Sequence, residues 1–242
     1  MNSIKGEFAG RREFLRRTGI LLTSAAMIHP AAHLVHAESQ EKEEEEQGDK
    51  VFPPEDLMRE HGMLRRILLI YEDILGRLNN GEEFPVEVIF KSSSIIRKFI
   101  EEYHERLEED YLFPRFEKAG KLVELVSVLK EQHKAGRRLT GNILKSAEPA
   151  TLKEAGKRKE LAEKLHLFIR MYRPHASRED TILFPALRSI VSAQEFDSLG
   201  EQFEDKEVAL FGEGGFEKIV EELANLEKPL GIYELAQFTP PQ

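Results

Sequence analysis

Two histidine–glutamate pairs in the sequence have the spacing expected of metal ligands on a helix. His104 is followed by Glu108, and His175 is followed by Glu179. A separation of four residues brings the two side chains of each pair to one helix face, one turn apart. Imidazole and carboxylate donors suit iron, manganese or zinc. One such pair is weak evidence for a metal site, because glutamate is common in helices. Whether these pairs are metal ligands has to be judged from the surrounding sequence.

Each pair belongs to a longer repeated pattern. Eight residues after His104 the chain reads Leu-Phe-Pro (112–114), and eight residues after His175 it reads Leu-Phe-Pro again (183–185). The two copies are 71 residues apart. An agreement over the histidine, the glutamate and the three later residues favours a duplication over chance.

Two further histidines, His61 and His133, form a second repeated pattern, with copies 72 residues apart. The residues around them also correspond: Glu60 with Gln132, Arg65 with Arg137, and Arg66 with Arg138. The two patterns together predict a duplicated helix pair whose copies are related by a pseudo-twofold axis.

The elements that must position these residues are predicted from apolar side chains at three-four spacing, which marks one face of a helix. No useful length of strand-like alternation occurs. Four amphipathic segments are predicted: Pro53-Pro54 to Asn79-Asn80-Gly81, Pro85 to about Glu117, Leu122 to near Pro149, and a last one carrying Leu161 to Ile190. The last segment contains Pro174. Tyr111 in the second segment and Ile182 in the fourth are predicted to face inward. Short connections between them predict an all-α, up-down antiparallel four-helix bundle over residues 53–190.

One histidine falls on the inward stripe of each predicted helix, whereas His166 lies off that line and is interpreted as structural. A lone histidine in a core usually makes only hydrogen bonds. Four of them converging, with two glutamates, favour a di-metal carboxylate site in which the carboxylates bridge two cations. The candidate ligands are His61, His104, Glu108, His133, His175 and Glu179. Six protein ligands cannot fill two six-coordinate ions, so open positions would remain.

These ligand positions and both Leu-Phe-Pro copies resemble the hemerythrin-like HHE cation-binding domain over roughly residues 55–190. The resemblance implies a di-iron centre, with manganese or zinc as other possible metals. It also implies a protein that binds or reacts with O2, NO or peroxide, in carriage, sensing or redox protection. Two other functions stay open at this point: an iron-dependent oxidoreductase or detoxifying enzyme, and a metal-independent helical interaction domain.

The sequence departs from the oxygen-carrying members of that family at two positions. Carriers have a second histidine four residues after the third-helix histidine, where this chain has Arg137. They also place the last carboxylate five residues after its histidine, where this chain has Asp180; the internal repeat favours Glu179 as the ligand. The missing histidine favours redox chemistry or sensing over reversible carriage. The residues expected to support the ligands are Tyr172, Asp180, Arg65 and Arg137.

Composition narrows the remaining classes of function. The formal net charge of −9 disfavours nucleic acid as a partner, because phosphate binding needs clustered lysine and arginine. The absence of cysteine excludes disulfides, thiolate zinc sites and cysteine-ligated iron–sulfur clusters. Any bound metal must therefore be held by nitrogen and oxygen.

The two ends of the chain differ from the bundle. Arg11-Arg12, the apolar run that follows, and Val35-His36-Ala37 predict a twin-arginine signal peptide over residues 1–37, with export to the periplasm or beyond and no stable membrane span afterwards. The alternative is a basic amphipathic N-terminal helix. Residues 38–52 read as an acidic disordered linker. Residues 191–242 are predicted to form a helical extension, starting with a capping box at Ser192.

Overall fold

The computed structural model describes residues 52–240, and within that range it contains helices and turns but no strand. The predicted signal peptide and all of the predicted linker except Phe52 lie outside the described residues. The bundle helices are α1 (Pro53–Asn80), α2 (87–119, comprising Glu87–Ile95, Ile96–His104, Glu105–Leu107, Glu108–Leu112 and Phe113–Ala119), α3 (Val123–Ser146) and α4 (155–187, comprising Ala155–Arg178, Glu179–Leu183 and Phe184–Leu187). A short helix, Pro149–Lys153, precedes α4. The predicted all-α bundle is confirmed.

Helix α1 shows how local sequence sets the helix boundaries. Pro53 and Pro54 occupy its first turn, where the missing N–H groups have no intrahelical partner anyway. Gly81 ends the helix with φ of +73°, in the left-handed region that glycine adopts without a Cβ clash, and its N–H donates to the Arg77 carbonyl. The inward face is a continuous apolar stripe: Leu57, Leu64, Ile67, Leu68, Tyr71 and Ile74 are all buried.

Wider π-helical turns carry the two glutamates of the predicted site. In α2 the π segment Glu108–Leu112 ends where the N–H of Phe113 donates to the Glu108 carbonyl, five residues back. Pro114 follows at once; it has no N–H, and its ring crowds the carbonyl four residues earlier, so the regular α-helical pattern cannot pass through it. The second Leu-Phe-Pro copy accompanies the same turn at Glu179–Leu183 in α4. The repeat in the sequence is therefore a repeat in backbone geometry.

The same turns correct two inward assignments made from a regular 3.6-residue period. Tyr111 is only partly buried, and Leu112 is buried in its place. Ile182 is 40% exposed, whereas Leu183 is fully buried. A π turn inserts one extra residue into the helical cycle, so the inward face moves by one position beyond it.

Two further helices pack against the bundle: α5 (Ala193–Phe211) and α6 (Gly215–Glu227). Half of the predicted capping box is present: Ser192 Oγ accepts a hydrogen bond from the Glu195 N–H at 3.2 Å, whereas the Glu195 carboxylate accepts from Arg115 at 2.8 Å. Glu227 of α6 accepts two hydrogen bonds from the Arg66 guanidinium of α1, at 2.8 and 2.5 Å. The Phe211 ring contacts Phe99 of α2 at 5.5 Å between centroids. Two 3₁₀ turns, Lys228–Leu230 and Leu235–Phe238, follow.

None of the helices in residues 52–240 combines the length and apolar composition needed to cross a membrane.

Candidate metal centre

Four imidazoles and two carboxylates meet inside the bundle, with one histidine from each of α1, α2, α3 and α4. All six predicted ligands are at most 3% exposed: His61, His104, Glu108, His133, His175 and Glu179. Their donor atoms form two groups, each with donor atoms within 4.8 Å of one another: His61 with His104 and Glu108, and His133 with His175 and Glu179. We call these the first and second half of the centre.

The carboxylates face both halves. Glu108 lies on the first helix pair, with Oε1 3.7 Å from Nε2 of His104, and its Oε2 lies 3.3 Å from Nε2 of His133 on the second pair. Glu179 mirrors this arrangement: its Oε2 lies 3.1 Å from Nε2 of His175 and 3.4 Å from Nε2 of His61. Each glutamate is thus placed to touch an ion in either half.

The outer nitrogen of every histidine is held by a polar side chain. Such hydrogen bonds fix the orientation of a ligating imidazole and leave the other nitrogen free to face the metal. The Nδ1 atoms pair as follows: His61 with Asp180 at 2.6 Å, His104 with Glu60 at 2.7 Å, His133 with Glu109 at 3.0 Å, and His175 with Gln132 at 2.9 Å. Three of the four acceptors are carboxylates, and the fourth is an amide.

The phenylalanines of the two Leu-Phe-Pro copies cover the centre. Phe184 stacks on His61 with ring centroids 5.4 Å apart, and Phe113 stacks on His133 at 5.5 Å. In each case the phenylalanine lies on the opposite helix pair from the histidine. The repeat therefore supplies a carboxylate, a widened turn and an apolar cover together.

The two predicted supporting arginines lie behind the outer carboxylates. Arg65 forms an ion pair with Asp180. Arg137 occupies the position on the third helix where oxygen carriers have a second histidine. Its guanidinium lies 2.8 Å from Glu109 and 2.8 Å from Glu105, so this residue forms ion pairs. Arg65 and Arg137 are equivalent in the sequence, and each pairs with the carboxylate that holds a ligating histidine. Arg137 has a further ion pair with Glu105.

The hydroxyl of Tyr172 is already engaged. It donates to Glu105 at 2.7 Å, while its ring contacts His175 at 5.4 Å between centroids. Donation from Tyr172 to a small oxygen-containing ligand at the centre would require this hydrogen bond to break. Gly136 on α3 makes room for the ring, because a Cβ there would lie 2.7 Å from Tyr172 Cζ.

Burial and the neighbouring carboxylates pull the histidine pKa values in opposite directions. Burial opposes the charged form of His61, but the neighbouring carboxylates of Asp180 and Glu179 outweigh it and raise the pKa of His61 to about 9. Burial lowers the pKa of His104 to about 4. Burial also opposes ionisation of Glu179, yet His175 and His61 hold its pKa well below the usual range. Metal binding would replace such protons, because a ligating imidazole must be neutral.

The residues present fit a metal ion. Within the described part of the chain, both carboxylate oxygens of Glu108, both of Glu179 and Nε2 of His133 are buried without a hydrogen-bond partner. Burying charged oxygens without a hydrogen bond costs free energy, and cations bound between these carboxylates would offset that cost. A cation that accepts oxygen and imidazole ligands would meet that need.

Sequence reasoning did not assign a role to four residues that shape the site: Glu60, Gln132, Glu109 and Glu105. The repeat offered a signal for three of them. Glu60 and Gln132 are equivalent positions, and Glu109 corresponds to Asp180. Glu105 had no such signal, because its counterpart in the repeat is Ala176.

Comparison with known proteins agrees with this geometry. The family model of the hemerythrin HHE cation-binding domain matches residues 53–225, which reach from α1 into α6. The chain belongs to this family. Relatives of this HHE protein include uncharacterized proteins of Mycobacterium tuberculosis and Mycobacterium bovis, each 50% identical over 195 residues, which cover 81% of this chain and 76% of the relative. No solved structure matches the chain.

Proposed function

We propose that this HHE protein holds two iron ions and binds or reacts with O2, NO or peroxide, in sensing or redox protection. Glu108 and Glu179 would offer carboxylate oxygens to both ions. His61 and His104 would hold the ion of the first half, and His133 and His175 would hold the ion of the second half. Iron is preferred to manganese or zinc on the family resemblance, because the donor set suits all three.

The observation that carries the proposal is the set of carboxylate oxygens without hydrogen bonds at Glu108 and Glu179. Each of these glutamates is fully buried and faces one imidazole from either helix pair. A metal-independent interaction domain would leave both buried carboxylates facing imidazole nitrogens at 3.1–3.7 Å without a hydrogen bond. That third alternative is therefore the least supported of the three functions.

When bound, a pair of iron ions supplies open coordination positions and one-electron redox steps for a small ligand. The chain's own residues orient the imidazoles through their outer nitrogens and keep water out with Phe113 and Phe184. Arg137 stands where oxygen carriers have a further histidine, and its ion pairs with Glu105 and Glu109 favour reaction or sensing over reversible carriage. A detoxifying oxidoreductase using the same centre remains the second candidate, on the same observation.

Export by the twin-arginine route belongs to the same proposal. It rests on Arg11, Arg12 and the apolar stretch ending at Ala37. That route allows folding and metal loading to finish before export, which fits a metal-binding protein. The domain limits follow: a signal peptide over 1–37, a linker over 38–52, the bundle over 53–190 and the extension over 191–242.

Metal analysis of the purified protein, combined with absorption spectra of the reduced and the air-exposed sample, tests the proposal. We expect about two irons per chain, as in other helix-bundle di-metal sites, and a near-ultraviolet band that appears on exposure to air. A protein that holds no metal, and gains neither iron nor thermal stability when ferrous iron is added, contradicts it, since a ligand that binds only the folded state must stabilise it. Turnover of peroxide would favour the enzyme over the sensor.

A further inference from the structure

Positive charge is concentrated on two of the four bundle helices. Helix α3 contains five basic and two acidic residues, and helix α4 contains seven basic and four acidic residues, on a chain whose net charge is −9. In the extension the balance is reversed, because α5 contains six acidic residues and α6 contains four, with one lysine in each. The extension packs on α1 and α2, through Glu227 with Arg66 and through Phe211 with Phe99. The basic face of the molecule is therefore the one formed by α3 and α4.

A groove runs along this basic face, between the two helices. Two cavities, of about 320 and about 570 Å³, both have Gln132 in their lining. We call the two together the α3–α4 groove. About half of its lining residues are apolar, and two of them, Val128 and Leu167, are exposed. Apolar side chains that remain exposed within a polar rim are typical of a protein-binding surface.

The rim of the groove carries guanidinium groups that are free to bind a partner. Arg138 and Arg170 line the larger cavity, and Arg178 lines the smaller one, where Glu124 is the acidic side chain. All three arginines are exposed, and none of them forms an ion pair with a carboxylate among residues 52–240. The neighbouring carboxylate of Glu131 is paired with the next lysine along α3. A basic rim of this kind speeds the encounter with an acidic partner, because opposite charges steer diffusion.

The smaller cavity connects this surface with the candidate metal centre. His175, one of the six candidate ligands, is part of its lining, and Nδ1 of His175 lies 2.9 Å from Oε1 of Gln132, which lines both cavities. A molecule seated in the groove would thus lie against a ligand of the second half. An electron that enters at the edge of this imidazole crosses a single ring to reach a metal bound at Nε2.

These features together match the docking site of an electron carrier. Complexes that transfer electrons are transient and bury little surface, and complementary charge sets their rate of encounter more than their strength. The groove combines a small apolar contact surface, a basic rim and a candidate ligand directly beneath. An acidic protein surface complements the rim, and the ligand beneath gives the contact a function.

We propose that the α3–α4 groove is the docking site of an acidic electron-carrier protein, which reduces the oxidised centre one electron at a time through His175. This inference rests on the proposed function and adds the class of partner to it. In each transfer the carrier loses one electron and one ferric ion becomes ferrous, with no bond formed between the two proteins. Arg138, Arg170 and Arg178 hold carboxylates of the carrier, and Leu167 contacts its apolar side chains.

Reduction of the iron-loaded, air-oxidised full chain by a reduced, acidic [2Fe–2S] ferredoxin tests the inference, with stopped-flow detection of the visible absorption of the ferredoxin. The variant combines Arg138→Gln, Arg170→Gln and Arg178→Gln. Its matched control combines Lys91→Gln, Lys98→Gln and Lys118→Gln, which removes the same charge from exposed positions on α2. We expect the arginine variant to be reduced at least about fivefold more slowly at low ionic strength, with the difference lost in concentrated salt, and the control to match the wild type.

Two further measurements separate docking from effects on the centre. Reduced methyl viologen is a small cation that needs no basic docking site, so it should reduce the arginine variant no more slowly than the wild type. Binding of the oxidised ferredoxin to the metal-free chain, measured by calorimetry, needs no iron. We expect its dissociation constant to rise about fivefold in the arginine variant and also in Leu167→Asn. Leu69→Asn on α1 is the control, because Leu69 and Leu167 are 42% and 43% exposed, and it should bind like the wild type.

Equal rates with ferredoxin in the arginine variant and the wild type, equal slowing in the lysine control, or equal slowing with methyl viologen would each overturn the inference. A dimer in sedimentation that the arginine variant abolishes would overturn it too, because the groove would then receive the acidic extension of a second copy. Failure of the proposed function looks different: metal analysis would find no iron, whereas calorimetry with the metal-free chain would still show whether the acidic carrier docks in the groove.

Discussion

Glu108 on α2 places its Oε2 3.3 Å from Nε2 of His133 on α3, so a carboxylate of one helix pair reaches an imidazole of the other. Glu179 makes the reciprocal approach to His61 at 3.4 Å. Two carboxylates that cross between halves tie both candidate ions to both copies of the repeat. The loss of either glutamate should therefore weaken metal binding in both halves, and the glutamates should matter more than any one histidine.

The first prediction compares a bridging ligand with a terminal one. Glu108→Ala removes contacts to both ions, whereas His104→Ala removes a contact to one ion and leaves a space that water can fill. We expect Glu108→Ala to retain less than half of the wild-type metal and His104→Ala to retain more. Metal content per chain after gel filtration gives the comparison, with far-ultraviolet circular dichroism as the folding control. A larger loss in the histidine variant would contradict the bridging role.

The second prediction uses the equivalence of Arg137 and Arg65. Arg137 compensates Glu105, which is 1% exposed, so Arg137→Ala leaves a buried carboxylate without its cation and should cost about 3 kcal/mol. The side chain of Arg65 is 45% exposed, so Arg65→Ala should cost no more than about 1 kcal/mol. Urea unfolding of the metal-free proteins measures both. Equal losses would show that the contact with Glu105 adds nothing to stability.

The third prediction concerns Tyr172 of α4, whose ring packs closely against Gly136 of α3. Gly136→Ala would put a methyl group 2.7 Å from Tyr172 Cζ, so the ring has to move away from Glu105 and His175. Overpacking of this kind costs about 1–3 kcal/mol. Gly76→Ala is the control, because its Cβ would meet nothing within 4 Å, and it should stabilise α1 by about 0.5–1 kcal/mol. A Gly136→Ala protein as stable as the wild type would argue against the observed packing.

The sequence sufficed for the bundle and for the convergence of the six candidate ligands, because helix periodicity and an internal repeat depend only on local spacing. It did not suffice for Tyr111 and Ile182, whose inward assignment assumed a regular turn. Proline at 114 and 185 was visible, but the widened turn before it depends on how the backbone relieves the clash. The role of Glu105 could not be predicted from the sequence, for another reason. Its partners, Arg137 and Tyr172, come from α3 and α4, and only the packing of three helices joins them.

The fourth prediction concerns processing of the N-terminus, which lies outside the described residues. Cleavage after Ala37 should give an exported protein whose intact mass begins at Glu38. Replacing both Arg11 and Arg12 by lysine keeps the charge but removes the paired arginines, and it should leave the precursor in the cytoplasm. Fractionation followed by immunoblotting gives the result. Unchanged export of the double variant would count against the twin-arginine route.

The last prediction concerns the order in which the two ions leave. Three outer nitrogens are held by carboxylates, and only His175 is held by an amide, from Gln132. A carboxylate acceptor makes an imidazole a stronger donor to metal, and its replacement typically costs about 10–100-fold in affinity. The ion of the second half should therefore leave first, so that a chelator titration shows two steps separated by about tenfold or more.

Gln132→Glu should bring the steps together by strengthening the weaker site. Glu60→Gln should also bring them together, by weakening the stronger site, so that the midpoint of the tighter step moves and that of the looser step stays. A single step in the wild type, or steps that do not move in either variant, would mean that the outer acceptors do not distinguish the two ions.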